Sequence, residues 1–204
     1  LLLFISIELM TISFYLLTAY LRTDARSVEA GVKYLILGSL STAFMLYGIS
    51  FLYGNASSTH LDALQRTAAE ATPLAPSLIL GAFLVMAGLS FKVGSVPFHF
   101  WIPDVYEGAP LPVTAFLAAG SKVAAFAVIL KILAALAPLQ QTWTLAFAFL
   151  AAATLFYGNL GAIPQTNIKR FLGYSSIGHA GFMLMGVASG GISGGNAIAF
   201  YMLA

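Results

Sequence analysis

The chain has 204 residues, 60% of them hydrophobic and only 8% charged, with a formal net charge of +2. Soluble domains carry roughly a quarter charged residues, so this balance excludes one and leaves an integral membrane protein. Cysteine is absent, which excludes a disulfide framework and iron–sulfur clusters held by thiolates.

Apolar runs long enough, or nearly so, to cross a ~30 Å hydrocarbon core cover residues 1–21, 31–53, 78–100, 112–136, 143–163 and 172–188, and a seventh occupies 196–204. Their alanine, leucine and phenylalanine richness without strict alternation argues for helices and against barrel strands. The reading is an all-α integral membrane protein, a single multi-helix bundle over residues 1–204. The chain starts inside an apolar run without an initiator methionine and stops inside another, so it reads as an internal fragment of a longer subunit. The first run has no basic flank and is too long for a signal-peptide core.

Glu8 stands in the middle of the first run. A buried carboxylate without a partner takes up a proton, and the expected partner is Lys33, near the start of the second run. A hairpin brings the two together with an offset that a long lysine stem partly closes. The competing reading of Lys33 is an interfacial lysine, snorkelling to headgroups or paired with Glu29 one turn back. In the following connection, residues 54–76, Leu61 to Arg66 form an amphipathic turn expected at the outer interface.

The third and fourth runs each hold a lysine, Lys92 and Lys122, and each lies fifteen positions from Glu107 in the polar stretch between them. With a rise of 1.5 Å per residue, continuous helices place both about 13–15 Å deep, near the midplane. A charge there costs about 2.5–3.5 kcal/mol on insertion scales and usually marks an ion or proton path. Gly88, Gly94 and Pro97 flank Lys92, and proline removes an intrahelical hydrogen bond. The helix is therefore expected to be discontinuous near Lys92, as in transporters that build ion sites from freed backbone groups; a simple kink is the alternative. Two lysines at one depth disfavour simultaneous charging if they meet, and a carboxylate such as Glu8 favours it. That is how a proton relay is tuned; permanent charges held by carbonyls are the bland reading.

Lys131 reads as a snorkelling anchor near the outer surface. His179, some way into the sixth run, has an unperturbed pKa near 6.5 that suits proton passage, and a satisfied core histidine is the alternative; His99 and His60 lie nearer the two rims. Tyr53, Trp101 and Tyr106 read as interfacial aromatics. Arg22, Arg26, Lys169 and Arg170 fall on one side and only Arg66 in the longest loop of the other, which makes the first side cytoplasmic by the positive-inside rule. No phosphate-binding glycine loop, dinucleotide fingerprint or nucleophile constellation is present, and no nucleic-acid partner is implied.

The run Phe91-Lys-Val-Gly-Ser-Val-Pro-Phe-His-Phe-Trp-Ile-Pro-Asp-Val-Tyr-Glu-Gly-Ala-Pro110 resembles the antiporter-like N subunits of respiratory complex I, the NADH-quinone oxidoreductase. The Asp-Val-Tyr-Glu-Gly-Ala-Pro stretch discriminates most, because the sister L and M subunits and the related cation/proton antiporter subunits usually differ after the shared Pro-x-His-x-Trp-x-Pro-Asp core. Glu29-Ala-Gly-Val-Lys-Tyr34, Leu46-Tyr-Gly-Ile-Ser50 and Gln165-Thr-Asn-Ile-Lys-Arg-Phe-Leu-Gly-Tyr-Ser-Ser176 extend the resemblance along the chain. It implies part of a larger inverted-repeat antiporter-like fold, with Glu8 and Lys33 as the pair that tunes the channel, Lys92 as central proton carrier and Lys122 as the next station. It also implies a proton-translocating subunit of a redox translocase in a bacterial plasma membrane, with an organellar membrane as the alternative, and no cofactor and no redox chemistry in this chain. Sister membrane-arm subunits and lipid would surround it, and partner subunits would carry FMN, iron–sulfur clusters and the quinone site. A multisubunit cation/proton antiporter subunit and a purely structural membrane-arm subunit are the rival readings.

Overall fold

The computed structural model describes residues 1–70 and 73–203, and the regular elements among them are all helical. In chain order these are α1 (Leu2–Thr18), α2 (Ala25–Ala56), α3 (Leu61–Glu70), α4 (Pro76–Val93), α5 (Trp101–Gly108), α6 (Leu111–Ala118), α7 (Gly120–Ala135), a 3-10 turn (Ala137–Leu139), α8 (Gln140–Ala162), α9 (Ile168–Ser189) and α10 (Gly191–Leu203). Helices α2, α4, α8 and α9, and α6 with α7 as one span over Leu111–Ala135, are long and apolar enough to cross a membrane; α1 is a shorter apolar helix. The protein is a multi-pass membrane bundle. Residues 71 and 72 of the expected outer connection, and Ala204 at the end of the expected 196–204 run, lie outside the described residues.

The helices outrun the apolar runs where polar caps extend them. Asp24 accepts the Arg26 N–H at 3.0 Å and starts α2 six residues before the apolar run begins. Asn167 accepts the Lys169 N–H at 2.9 Å and starts α9 at Ile168. Each side chain satisfies an amide that the first helical turn leaves unpaired. Helix α3 buries Leu64 and Ala68 on one side, the amphipathic behaviour expected of that segment.

The run 78–100 is not one helix. Helix α4 stops at Val93, and Gly94 takes the left-handed conformation at φ +75°. Its N–H donates to the Phe91 and Ser90 carbonyls while the Ser95 N–H donates to the Ser90 carbonyl at 3.0 Å, a glycine-terminated helix end. The discontinuity thus falls two residues beyond Lys92. It also replaces the continuous-helix rise from which the depth of Lys92 was reckoned. A further interruption, at Ala119 between α6 and α7, was not anticipated and lies three residues before Lys122.

Trp101 and Tyr106 correct the expectation of interfacial aromatics, for they are 1% and 0% exposed. Helix α5 packs against α2 and α9, and Trp101 stacks on Tyr34 with ring centroids 4.5 Å apart. The Trp101 indole N–H donates to the Phe91 carbonyl at 3.0 Å, next to the helix break. Tyr53, at 52% exposed, keeps its surface position. A second core, including Leu78, Leu89, Phe126, Ile129 and Leu184, joins α4, α7 and α9.

Helices α2 and α4 touch through glycines. A Cβ on Gly48 would stand 2.6 Å from the Gly81 carbonyl oxygen, and one on Gly81 would stand 2.8 Å from the Phe51 Cβ, the small-residue approach that membrane helices use in place of hydrophobic burial. Gly48→Leu is expected to destabilise the solubilised protein by at least the ~1–3 kcal/mol of overpacking, because the obstacle is backbone. Gly54→Ala, where a Cβ meets nothing within 4 Å, is expected to cost nothing, both read by reversible unfolding in mixed detergent.

Candidate functional site

Lys92 sits in the last turn of α4, where the unpaired carbonyls of a helix C-terminus favour a cation. It is 6% exposed. Its Nζ lies 3.0 Å from Glu8 Oε1 of α1, a contact ion pair, and donates to Thr11 Oγ1 one turn further along α1 at 2.8 Å. The Thr11 hydroxyl proton is taken up by the Ile7 carbonyl at 2.8 Å, which leaves its oxygen to accept from the lysine. Thr42 of α2 donates to Glu8 Oε2 at 2.6 Å. Three helices therefore close on one buried pair.

This corrects the expected Glu8–Lys33 pair. The turn after α1 ends at Asp24, so Lys33 is only the ninth residue of α2, and it is Thr42 further along α2 that reaches Glu8. Lys33 instead bonds Glu29 at 2.7 Å and Asp104 Oδ2 at 2.8 Å with its side chain 43% exposed. Arg170 of α9 donates to Asp104 Oδ1 at 2.6 Å and to Glu107 Oε2 at 3.1 Å, and Asn167 donates to Glu107 Oε1 at 3.0 Å. These charges line a cleft of about 260 Å³ with Arg26. The starts of α2 and α9 and the whole of α5 thus share one end of the bundle, as the charge pattern of the loops required.

Lys122, on α7 just past the Ala119 interruption, is 2% exposed. Its Nζ donates to the backbone carbonyl and to Oγ of Ser176 on α9. Ser176 Oγ in turn stands 3.0 Å from the Tyr106 hydroxyl. Among the described residues no carboxylate pairs with Lys122, and neither hydrogen bond nor ion pair joins it to Lys92. The two lysines occupy separate sites with separate partners.

His179 takes part in neither. It occupies the exposed side of α9, its Nδ1 2.6 Å from the Tyr201 hydroxyl of α10. His99 is 2% exposed against the Tyr157 ring, and Lys131 is exposed on α7. No group of three His, Asp or Glu side chains among the described residues is placed to hold a metal. Sequence reasoning missed Thr11, Thr42, Ser176, Tyr106 and the Asp104–Arg170 pair. Thr11 was findable, since it follows Glu8 by three positions on the same helical face; Thr42 and Ser176 depend on tertiary register that no local pattern carries.

Residues 1–204 match the family described as NADH:quinone oxidoreductase/Mrp antiporter, transmembrane. The chain is 50% identical over 202 residues to the NADH-quinone oxidoreductase subunit N of Desulforamulus reducens, a match covering 98% of this chain and 42% of that protein. It superposes on a chain of respiratory complex I from Thermus thermophilus with bound aureothin at a TM-score of 0.77 and 35% identity, covering 98% of this chain and 43% of that one. A chain of the Mrp complex from Dietzia sp. DQ12-45-1b gives a TM-score of 0.89 at 26% identity, with 98% and 37% covered. The chain thus spans less than half the length of each.

Removing one partner of a buried ion pair costs about 3–5 kcal/mol, because the other charge stays uncompensated. Glu8→Gln and Lys92→Met are each expected to lose stability on that scale, and the double variant to recover most of it, in a double-mutant cycle of detergent unfolding. At the cleft, burial pushes the Asp104 carboxyl up, but hydrogen bonds from Lys33 and Arg170 outweigh it and hold the group below its ordinary 3.8. A depressed carboxylate contributes stability that is fully present above the unfolded value and lost as pH falls through the folded one. The stability gap between native protein and Asp104→Asn is accordingly expected at full size near neutrality and to close as pH drops below 3.8, measured by thermal unfolding against pH.

Proposed function

The chain belongs to the NADH:quinone oxidoreductase/Mrp antiporter transmembrane family, and on that premise we propose that it is part of a proton-translocating membrane-arm subunit of an NADH:quinone oxidoreductase. The observation that carries the reading is the Glu8–Lys92 pair, buried beside a helix break and held by Thr11 and Thr42. A permanent structural role gives no reason to place an ammonium there, since a pair of well-packed apolar residues is often as stable.

In the closed pair, Glu8, Thr11 and the α4 carbonyl end together compensate an ammonium on Lys92. Drawing Glu8 away, or protonating it, leaves that charge alone in a low-dielectric interior at a cost of several kcal/mol. Loss of a proton from Nζ to an acceptor further along the path relieves the cost, and closing the pair again favours reloading. Lys122 is the next station and Lys33, on the exposed cleft, takes part through Asp104 and Arg170 and not through Glu8. In this reading the electron-transfer chemistry belongs to partner subunits that carry FMN, iron–sulfur clusters and the quinone site. Sister antiporter-like subunits and lipid flank the bundle, and its basic end faces the cytoplasm of a bacterium.

The likeness to the Mrp chain favours a second reading, a cation/proton antiporter subunit driven by an ion gradient. The higher identity to the subunit N relative supports the first. Co-purification separates them, since only the first predicts soluble redox partners.

Lys92→Met in the intact complex, reconstituted in vesicles and driven by NADH, is expected to lose most dye-reported proton uptake while the complex stays assembled. A native proton-to-electron ratio in that variant would sink the reading and make the lysine a structural charge.

A further inference from the structure

Lys122 differs from Lys92 in having hydroxyls where the other has a carboxylate. Lys122, Ser176 and Tyr106 are 2%, 7% and 0% exposed, and they come from three different helices, α7, α9 and α5. Between Ser176 Oγ and Tyr106 Oη, 3.0 Å apart, either atom can be the donor. Ser176 is the one side-chain partner of the Tyr106 hydroxyl among the described residues.

We propose that Ser176 and Tyr106 are positioning residues for Lys122: a two-hydroxyl chain whose hydrogen bonds run in one direction when the lysine is charged and in the other when it is neutral. The inference deepens the proton-transfer reading and rests on it in one respect, that Lys122 changes charge during turnover.

The direction follows from the donor and acceptor inventory. An ammonium has three donors and no acceptor, so Ser176 Oγ can only accept from it, and Tyr106 Oη is the side-chain acceptor open to the serine proton among the described residues. The tyrosine proton then has no other side-chain acceptor among the described residues, an unsatisfied buried donor. A neutral amine has a lone pair. The serine hydroxyl then donates to Nζ and the tyrosine hydroxyl donates to Ser176 Oγ, so that both hydroxyl protons have an acceptor. The proton given up by Nζ leaves along the lysine path; both hydroxyls keep their own protons and exchange only donor and acceptor roles. Tyr106 lies between Asp104 and Glu107 on α5, the helix that those carboxylates tie to Lys33 and Arg170. The charge on Lys122 is thereby read out on the helix that begins beyond the break next to Lys92.

The test uses the intact complex in vesicles, with Tyr106→Phe, Ser176→Ala, Ser176→Thr, Lys122→Met and, as a control on the function itself, Lys92→Met. Proton uptake per NADH is measured beside the NADH-triggered infrared difference spectrum, where the tyrosine ring-to-oxygen stretch reports whether its hydroxyl donates or accepts. The native complex is expected to show a tyrosine band pair that disappears in Tyr106→Phe, in Ser176→Ala and also in Lys122→Met, which keeps the tyrosine. Ser176→Thr is expected to restore it, and proton uptake is expected to fall several-fold in Tyr106→Phe and Ser176→Ala. A native spectrum without the band pair, a band pair that persists in Lys122→Met, or native proton uptake in Tyr106→Phe overturns the proposal. Native uptake in Lys92→Met overturns the function reading instead, while a Lys122-dependent tyrosine band would leave the hydroxyl chain standing.

Discussion

An ammonium group within a bundle of apolar helices has to be compensated locally, and the arrangement of α1, α2 and α4 follows from how Lys92 is compensated. The break at Gly94 supplies part of the answer, for it ends α4 at the valine that follows Lys92 and so brings the negative end of the helix to the charge. Helix α1 supplies a carboxylate and a hydroxyl one turn apart, and α2 supplies the hydroxyl that orients the carboxylate. Breaking the helix has its own cost, freed carbonyls in a medium without water. Trp101 offsets it by donating to the Phe91 carbonyl, so the aromatic cluster around the break belongs to the same solution as the ion pair.

Helix α5 is fixed at two levels. In the interior Trp101 stacks on Tyr34 of α2 and the Tyr106 hydroxyl bonds to Ser176 of α9. At the end of the bundle Asp104 and Glu107 hold Lys33 of α2 and Arg170 of α9, and Gly108 lets α5 approach α2 so closely that a Cβ there would meet the Arg26 carbonyl oxygen at 2.5 Å. The exposed ion pairs are individually weak; their geometric role is to fix the register of α5 between α2 and α9. The Asp-Val-Tyr-Glu-Gly stretch therefore encodes an interface along its length, which is why reading it as a polar stretch between two apolar runs missed most of its content.

Much of this was legible in the sequence. Composition gave the membrane class, Gly94 and Pro97 gave the helix break, and the cost of intramembrane charge picked out Glu8, Lys92 and Lys122. The pairing of Glu8 was not legible, because the length of the α1–α2 turn decides which α2 residue lies opposite it, and Asp24 caps α2 earlier than hydropathy alone suggests. Trp101 and Tyr106 were misplaced for a related reason: an aromatic flanking an apolar run looks interfacial whether the chain leaves the membrane there or folds a short helix back into the bundle. Ser176 stood within a motif recognised as a block, and only the packing of α9 on α5 showed which of its atoms meets a lysine.

The two buried lysines are solved by different chemistry, and that difference bears on direction. Lys92 faces a counter-charge that can itself be moved or neutralised, so its state answers to the position of Glu8. Lys122 faces a carbonyl and a hydroxyl chain, whose dipoles compensate a charge less completely than a carboxylate does and whose orientation follows the lysine without commanding it. Two stations with the same compensation would exchange a proton without preference. A carboxylate at one and reorientable hydroxyls at the other make the free energies of the two charged states unequal, and they make only the first adjustable from α1. On the proton-transfer reading, moving Glu8 then changes that difference from the Lys92 side alone, with α5 placed to register the charge state at Lys122.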